Sequence, residues 1–326
     1  MGLNVIFHDA VEQAELKFFL ENVEDDRFRY YPSNSQKGKV DYLFFRINSY
    51  ANKFENTILY AYENNKLVGI IGFRESIWDS DVFGYKCAVI DYFFSKNCNY
   101  SEKTRIKEIL LKQFDNWCKK SNVRFVTARI NVSDLSSIHL LENQNFRFIE
   151  NILWPIIDFR RDKEVKAVKH KIRFADENDS TALSYLARNF YYRCGRFPAD
   201  SHFSEKDVAN MREKWMQNSI KSNHKIVVVE TDDDIVGYFI YFINDAIKKY
   251  FGLKFAHLRS AVLSSEHRGY GLGSSLFQGT LNILREKVDI VDSGFITRNY
   301  PSMNLHWKVG LDRVVYSCAT FHKWFY

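Results

Sequence analysis

The run Arg268-Gly269-Tyr270-Gly271-Leu272-Gly273, continued by Ser274, has the residue types and spacing to hold an anion. It follows a strand-like stretch, Phe255 to Leu263, and opens a helix-like stretch, Ser274 to Lys287. A turn of this kind aims several backbone N–H groups at one point, and the helix behind it adds the positive end of its dipole; phosphate is the usual ligand. Glycine lets the chain turn sharply with no Cβ between backbone and ligand. The run is not a Walker A loop, since no Gly-Lys-Ser/Thr follows. It is not a dinucleotide fingerprint, since Leu276 stands where the last glycine would fall.

The loop does match Arg-x-x-Gly-x-Gly between a strand and a helix, and so resembles the acyl-CoA pyrophosphate loop of the GNAT acyltransferases. That resemblance implies Arg268, Gly269, Tyr270, Gly271, Leu272, Gly273 and Ser274 as contacts for acyl-CoA. It also implies a backbone donor near Val262 or Leu263 for the thioester carbonyl. GNAT domains continue with Asn-x-x-Ala-x-x-x-Tyr-x-Lys-x-Gly-Phe. Here Asn299, Lys308 and Gly310 fall in register, Ser302 replaces the small residue, Leu311 the aromatic and His306 the tyrosine. The resemblance makes Asn299 a pantetheine contact and His306 the proton donor to the leaving thiolate. An imidazole titrating near neutrality suits that role. An amine is already a competent nucleophile for a thioester, so no Ser or Cys nucleophile is expected. For the amine's proton His257, Glu266, His202 and water stand open.

The elements that must position these residues come in two similar sets. Hairpins Thr57–Glu63/Lys66–Ser76 and Lys225–Thr231/Ile235–Asn244 turn on Asn64-Asn65 and Asp232-Asp233-Asp234. Their second strands begin alike, Leu67-Val68-Gly69 and Ile235-Val236-Gly237. A further strand and a long amphipathic helix follow in each half. One helix carries Ile106, Leu110, Phe114 and Trp117, the other Leu272, Leu276, Phe277, Leu281 and Leu284. The expected closing strands are Phe125–Val132 with Phe146–Phe159, and Ile290–Arg298 with Arg313–Phe325. The fold class is therefore α/β (α+β). The resemblance makes it two tandem GNAT-like domains, each a mixed, mostly antiparallel sheet flanked by helices, over residues 1–160 and 161–326. The charged run Arg160–Lys171 reads as a solvated connector, with a phosphate patch as the alternative. The first half has no glycine in Phe94–Tyr100, and Leu141 falls opposite His306 when Asn145-Phe146 is set on Gly310-Leu311. It reads as a degenerate domain without CoA.

Shorter stretches resemble the dTDP-fucosamine acetyltransferase-like group. They are Trp78-Asp79-Ser80-Asp81-Val82-Phe83-Gly84 and Arg196-Phe197-Pro198-Ala199-Asp200, with His202 close by. That resemblance implies a nucleotide-linked amino sugar as acceptor. It places Trp78, Asp79, Phe83, Arg196, Phe197, Asp200 and His202 as its contacts and bacterial cell-surface polysaccharide as the product's destination. Core packing accounts equally for Trp78 and Phe83, and a local ion pair for Arg196 and Asp200. Another amine acceptor (peptide, aminoglycoside or mycothiol-like) and a CoA-binding module without turnover remain alternatives.

Composition agrees with this class of protein. The chain has 326 residues, a two-domain length, with 46% apolar residues and only 4 Pro and 14 Gly. The net charge of +6 suits a polyanionic small molecule and is too diffuse for nucleic acid. No apolar run reaches membrane-spanning length and no signal peptide is visible. Cys87, Cys98, Cys118, Cys194 and Cys318 have neither metal nor redox spacing, and the histidines form no cluster. A cytoplasmic protein with free thiols and no metal is expected. The oligomeric state is left open, with a homodimer compatible.

Overall fold

A computed structural model describes residues 4–7, 11–23, 26–162, 164–189, 195–222, 224–232 and 234–326; Cys194 and Asp233 lie outside the described residues. The order opens β1 (Asn4–Phe7), α1 (Gln13–Glu21), α2 (Gln36–Ala51), β2 (Asn56–Glu63), β3 (Lys66–Glu75), α3 (Ile77–Phe83) and β4 (Cys87–Ser95). It continues α4 (Tyr100–Lys120), β5 (Phe125–Asn131), α5 (Leu135–Asn143), β6 (Arg147–Asp158), β7 (Ile172–Phe174), α6 (Ser180–Asn189) and α7 (Glu205–Lys221). It ends β8 (Lys225–Thr231), β9 (Asp234–Asn244), α8 (Asp245–Phe251), β10 (Phe255–Leu263), α9 (Leu272–Arg285), β11 (Ile290–Ser293), β12 (Phe295–Ile296), α10 (Tyr300–Lys308) and β13 (Arg313–Trp324). No described helix is long and apolar enough to cross a membrane.

Two compact units emerge. Unit 1 holds Met1–Tyr31, Ser35–Asn151 and Tyr316–Tyr326; unit 2 holds Pro32–Asn34 and Ile152–Val315. Each is a mixed, mostly antiparallel sheet flanked by helices, and both follow one plan. In unit 1 the strand order is β1-β2-β3-β4-β5-β13. In unit 2 it is β7-β8-β9-β10-β11-β6. Among the described residues the parallel pairings are β4 with β5 and β10 with β11. In unit 1, α4 and α5 pack Ile106, Leu110, Phe114 and Leu141 on one sheet face, and α1 and α2 cover the other with Leu16, Phe19 and Ile47. In unit 2, Leu276, Phe277, Leu281 and Leu284 of α9 cover one face, and α6 and α7 bring Leu183, Leu186 and Met216 to the other.

The closing strands depart from expectation. Phe125–Asn131 pairs with Cys318–Trp324, from the end of the chain. Ile290–Asp292 pairs with Ile156–Asp158, from the middle of it. Each half thus receives the strand that local order assigned to the other. Both strands are largely apolar runs without strict alternation, Arg147–Asp158 and Arg313–Trp324, so residue pattern cannot tell which sheet each will join. Phe321 and Ala319 end in the core of unit 1, Ile157 in that of unit 2.

Without Cys318–Trp324 the edge of β5 is bare and two core side chains are missing. A fragment of residues 1–151 should therefore show no cooperative melt by circular dichroism. The same fragment with residues 313–326 joined by a Gly/Ser linker should melt cooperatively. A cooperative melt of the bare fragment contradicts the exchange.

Candidate active site

A cleft of about 300 Å³ opens in unit 2, lined by Arg259–Leu263, Arg268, Ser293–Ile296, Asn299, Ser302, Leu305 and His306, with Phe239, Leu276 and Phe277 behind. Its cause is a parting of strands. β10 pairs with β11 only from Phe255 to Leu258, and a bulge then falls between Leu258 and Ser260. Beyond the bulge β10 stays with β9, while β12 pairs with Ile152 and Leu153 of β6. The far edge of Ser260–Leu263 is left without a strand.

That edge offers backbone donors, and their identity follows from the ladder. Ser264 N–H donates to the Val236 carbonyl at 2.8 Å, and Val262 faces Tyr238. The amide of Val262 therefore points to β9. Alternation turns those of Ala261 and Leu263 toward the cleft. Of the expected pair, Leu263 presents its N–H and Val262 does not; Ala261 takes that place. Arg268 Nη2 donates to the Leu263 carbonyl at 3.2 Å, which ties the loop to this edge.

Gly269 and Gly271 have φ of +91° and +86°, the left-handed conformation that a Cβ disfavours. Gly271 is the N-cap of α9 and makes no side-chain cap bond. In unit 1 the N-terminus of α4 is capped instead by Asn99, whose Oδ1 accepts from Glu102 N–H. The amides of Leu272, Gly273 and Ser274 are thus uncapped by a side chain at a helix N-terminus, with Tyr270 exposed beside them. Part of the charged connector also arrives here. His170 Nδ1 lies 3.0 Å from Ser275 Oγ, and Asn282 Nδ2 donates to the Lys166 carbonyl at 2.8 Å. The connector lies along α9 rather than wholly in solvent, and periodicity held no signal for His170.

His306 sits on the cleft wall, 4% exposed, between the rings of Phe277 and Phe295. Its Nδ1 is 2.7 Å from the Ser302 carbonyl and its Nε2 is 2.8 Å from Ser293 Oγ. A carbonyl only accepts, so Nδ1 carries the proton. Burial holds the ring pKa down to about 4, against the ordinary 6.5, so the ring is neutral at pH 7. The expected imidazolium donor is therefore absent, because burial away from water penalises the cation. Asn299 lines the cleft, but its Oδ1 accepts from Ser302 N–H as the N-cap of α10. Its Nδ2 and the second lone pair of Oδ1 are left for a ligand.

The Leu141 alignment is matched in backbone detail. Leu311 N–H donates to the His306 carbonyl and Phe146 N–H to the Leu141 carbonyl, each at 2.9 Å. The parallel pairings start at Phe255↔Ile290 and Cys87↔Phe125, which sets Ala128 opposite Ser293. Asp134, the N-cap opposite Asn299, is bound by Lys107 Nζ at 2.6 Å, a lysine with no exposure.

The remaining expected contacts lie elsewhere. Arg196 stacks over Phe197 at 4.4 Å, and His202 Nδ1 is 2.7 Å from Asp200 Oδ1, in a turn before α7 that is not part of the cleft lining. Trp78, Asp79 and Phe83 belong to α3 in unit 1, where Ser76 Oγ donates to the buried Asp79 carboxylate at 2.7 Å. That helix ends on left-handed Gly84, as α8 ends on left-handed Gly252. The Trp-Asp-Ser-x-x-Phe-Gly stretch is thus a short capped helix. Of the open candidates for the amine's proton, His257 gives Nδ1 to Asp292 at 2.7 Å, and its Nε2 lies 3.2 Å from Asn244.

The low pKa of His306 has a stability consequence. Burial holds the folded ring's pKa down to about 4 while the unfolded ring keeps its ordinary 6.5, so stability is lost as pH falls from 6.5 toward 4. The loss approaches ~3 kcal/mol. The His306→Gln variant should show a shallower fall of denaturation midpoint over that window than wild type. Equal slopes would contradict the buried neutral ring.

Comparisons with known proteins agree with this geometry. Residues 187–311 match the acetyltransferase (GNAT) family. A tandem GNAT protein from the clavulanic acid biosynthesis pathway superposes over 99% of this chain and 98% of its own, with TM-score 0.58 and 12% identity. A GCN5-related N-acetyltransferase from Sphaerobacter thermophilus covers 98% and 95%, with TM-score 0.63 and 13% identity. At such identities the likeness is one of fold. The spore coat polysaccharide biosynthesis protein SpsD of Bacillus subtilis (strain 168) is 17% identical over 178 residues, 54% of this chain and 59% of its own length. The fold of the whole chain is that of tandem GNAT proteins, and its residues 187–311 are similar to the acetyltransferase (GNAT) family.

Proposed function

We propose that unit 2 transfers an acyl group from acyl-CoA to the amine of a nucleotide-linked amino sugar, and that unit 1 is a relic without CoA. The observation that carries this is the parting of β10 from β11, which leaves a donor-lined edge running to an uncapped helix N-terminus. A pantetheine amide would bond that edge as a strand does, and the pyrophosphate would lie on Gly269–Ser274. The N–H of Ala261 or Leu263 would polarise the thioester carbonyl. The amine would attack directly, and the C–S bond would break as the amide forms. In unit 1 Leu141 and Ala128 stand where unit 2 has His306 and Ser293, and the Lys107–Asp134 ion pair holds the N-cap, which supports the relic reading.

The nucleotide sugar is supported by the resemblance of Arg196–Asp200 to sugar acyltransferases and by a distant relative named for polysaccharide biosynthesis. Arg196 would suit a pyrophosphate, and Asp200 a hydroxyl or ammonium. A dTDP-linked amino-dideoxysugar, a bacterial cell-surface polysaccharide and a cytoplasmic setting complete the reading.

Free thiol release should be measured with acetyl-CoA and longer acyl-CoAs against dTDP-linked amino sugars, aminoglycosides and peptides. Release that requires one nucleotide sugar is expected. Release with a peptide or aminoglycoside alone would overturn the sugar; acyl-CoA binding with no release would leave a binding module. Alanine disfavours the left-handed turn at Gly271 by ~1 kcal/mol or more, so in Gly271→Ala the free loop should relax out of that turn, binding must restore it, and calorimetry should show acetyl-CoA affinity reduced about fivefold or more. Unchanged affinity would remove the loop from the donor site.

A further inference from the structure

The proton inventory around His306 assigns a role to Ser293 that sequence reasoning did not reach. Ser302's carbonyl takes the Nδ1 proton, so neutral His306 has only a lone pair at Nε2. The group at that lone pair is Ser293 Oγ, 2.8 Å away, and it must donate. A hydroxyl whose one proton is committed in this way shows the cleft only lone pairs. It cannot polarise a carbonyl or protonate a thiolate from rest. It can accept an N–H.

Ser293 is 4% exposed, ends β11 on the cleft wall, and is followed by Gly294. A Cβ at Gly294 would come within 2.8 Å of the Trp154 indole, so glycine is what lets that ring lie against the chain next to Ser293. The positions opposite Ser293 and His306 in unit 1 are Ala128 and Leu141, both apolar. The two polar groups are therefore present together in one unit and absent together in the other.

We propose that Ser293 is the group that receives the acceptor amine's proton, with His306 as the store behind it. This rests on the transferase reading above. The amine nitrogen bonds to the thioester carbon, and its N–H proton moves to Ser293 Oγ as the Ser293 proton moves to His306 Nε2. The C–S bond breaks. The proton then returns from Nε2 through Ser293 to the thiolate, giving free CoA thiol and the amide, with Ser293 and His306 as they began. One pair serves as base and then as acid; the ring is a cation only between the two transfers, while the tetrahedral adduct or the thiolate carries the balancing negative charge, and it ends neutral.

The test uses the full chain, acetyl-CoA, and the amines of the panel above. Ser293→Ala should lower kcat about 100-fold while acetyl-CoA binding by calorimetry stays within about twofold, and Ser293→Thr, which keeps the hydroxyl, should recover most of the rate. In ¹⁵N spectra of labelled histidine, wild-type His306 should carry its proton on Nδ1, and Ser293→Ala should move the Nε2 resonance. Wild-type turnover in Ser293→Ala, or a proton on Nε2, overturns the role of Ser293 and leaves the transferase reading standing. A wild-type chain that transfers acetyl to no amine overturns both.

Discussion

The site depends on the point where β10 leaves β11. Up to Leu258 the two strands satisfy each other's backbone groups; past the bulge they do not. Buried backbone donors without partners are costly, and a strand edge beside a cleft invites an extended ligand to complete it. The edge amides of Ala261 and Leu263, the Gly loop reached through Arg268, and the wall with Ser293 and His306 all follow from that one divergence. The bulge also sets the phase of the strand. Val262 faces the α6/α7 core after it, although Ala256 and Leu258 face α9 before it.

Burial decides what the histidine can do. Between Phe277 and Phe295, with a carbonyl fixing Nδ1, His306 is a neutral acceptor. A histidine in water could replace a tyrosine as acid; this one first has to collect the proton it later gives. The pair with Ser293 makes that economical, because the amine loses the same proton that the thiolate needs.

The Gly loop was legible because left-handed turns admit few residues, and Gly269 and Gly271 both adopt one. The register of Leu141 on His306 was legible because both helices end in the same backbone turn before an aromatic or aliphatic anchor. The strand exchange was not: β6 and β13 are both long, largely apolar strands, and nothing local tells one sheet from the other. The protonation of His306 was not, because it depends on burial that residue types do not reveal. Ser293 carried no signal of its own; only the strand register, which sets it against Ala128, brings it out. The Trp78–Gly84 stretch shows the converse case. Its residue pattern suggested a ligand contact, while its backbone is a seven-residue helix closed by a left-handed glycine.

The most direct test of the account is amide hydrogen exchange with and without acetyl-CoA. Saturable protection at Ala261, Leu263 and Leu272–Ser274, with no change at Asn97–Glu102 in unit 1, is the predicted result. Protection confined to unit 1, or none along β10 at saturating acetyl-CoA, would contradict the claim that the parted strands are the donor site.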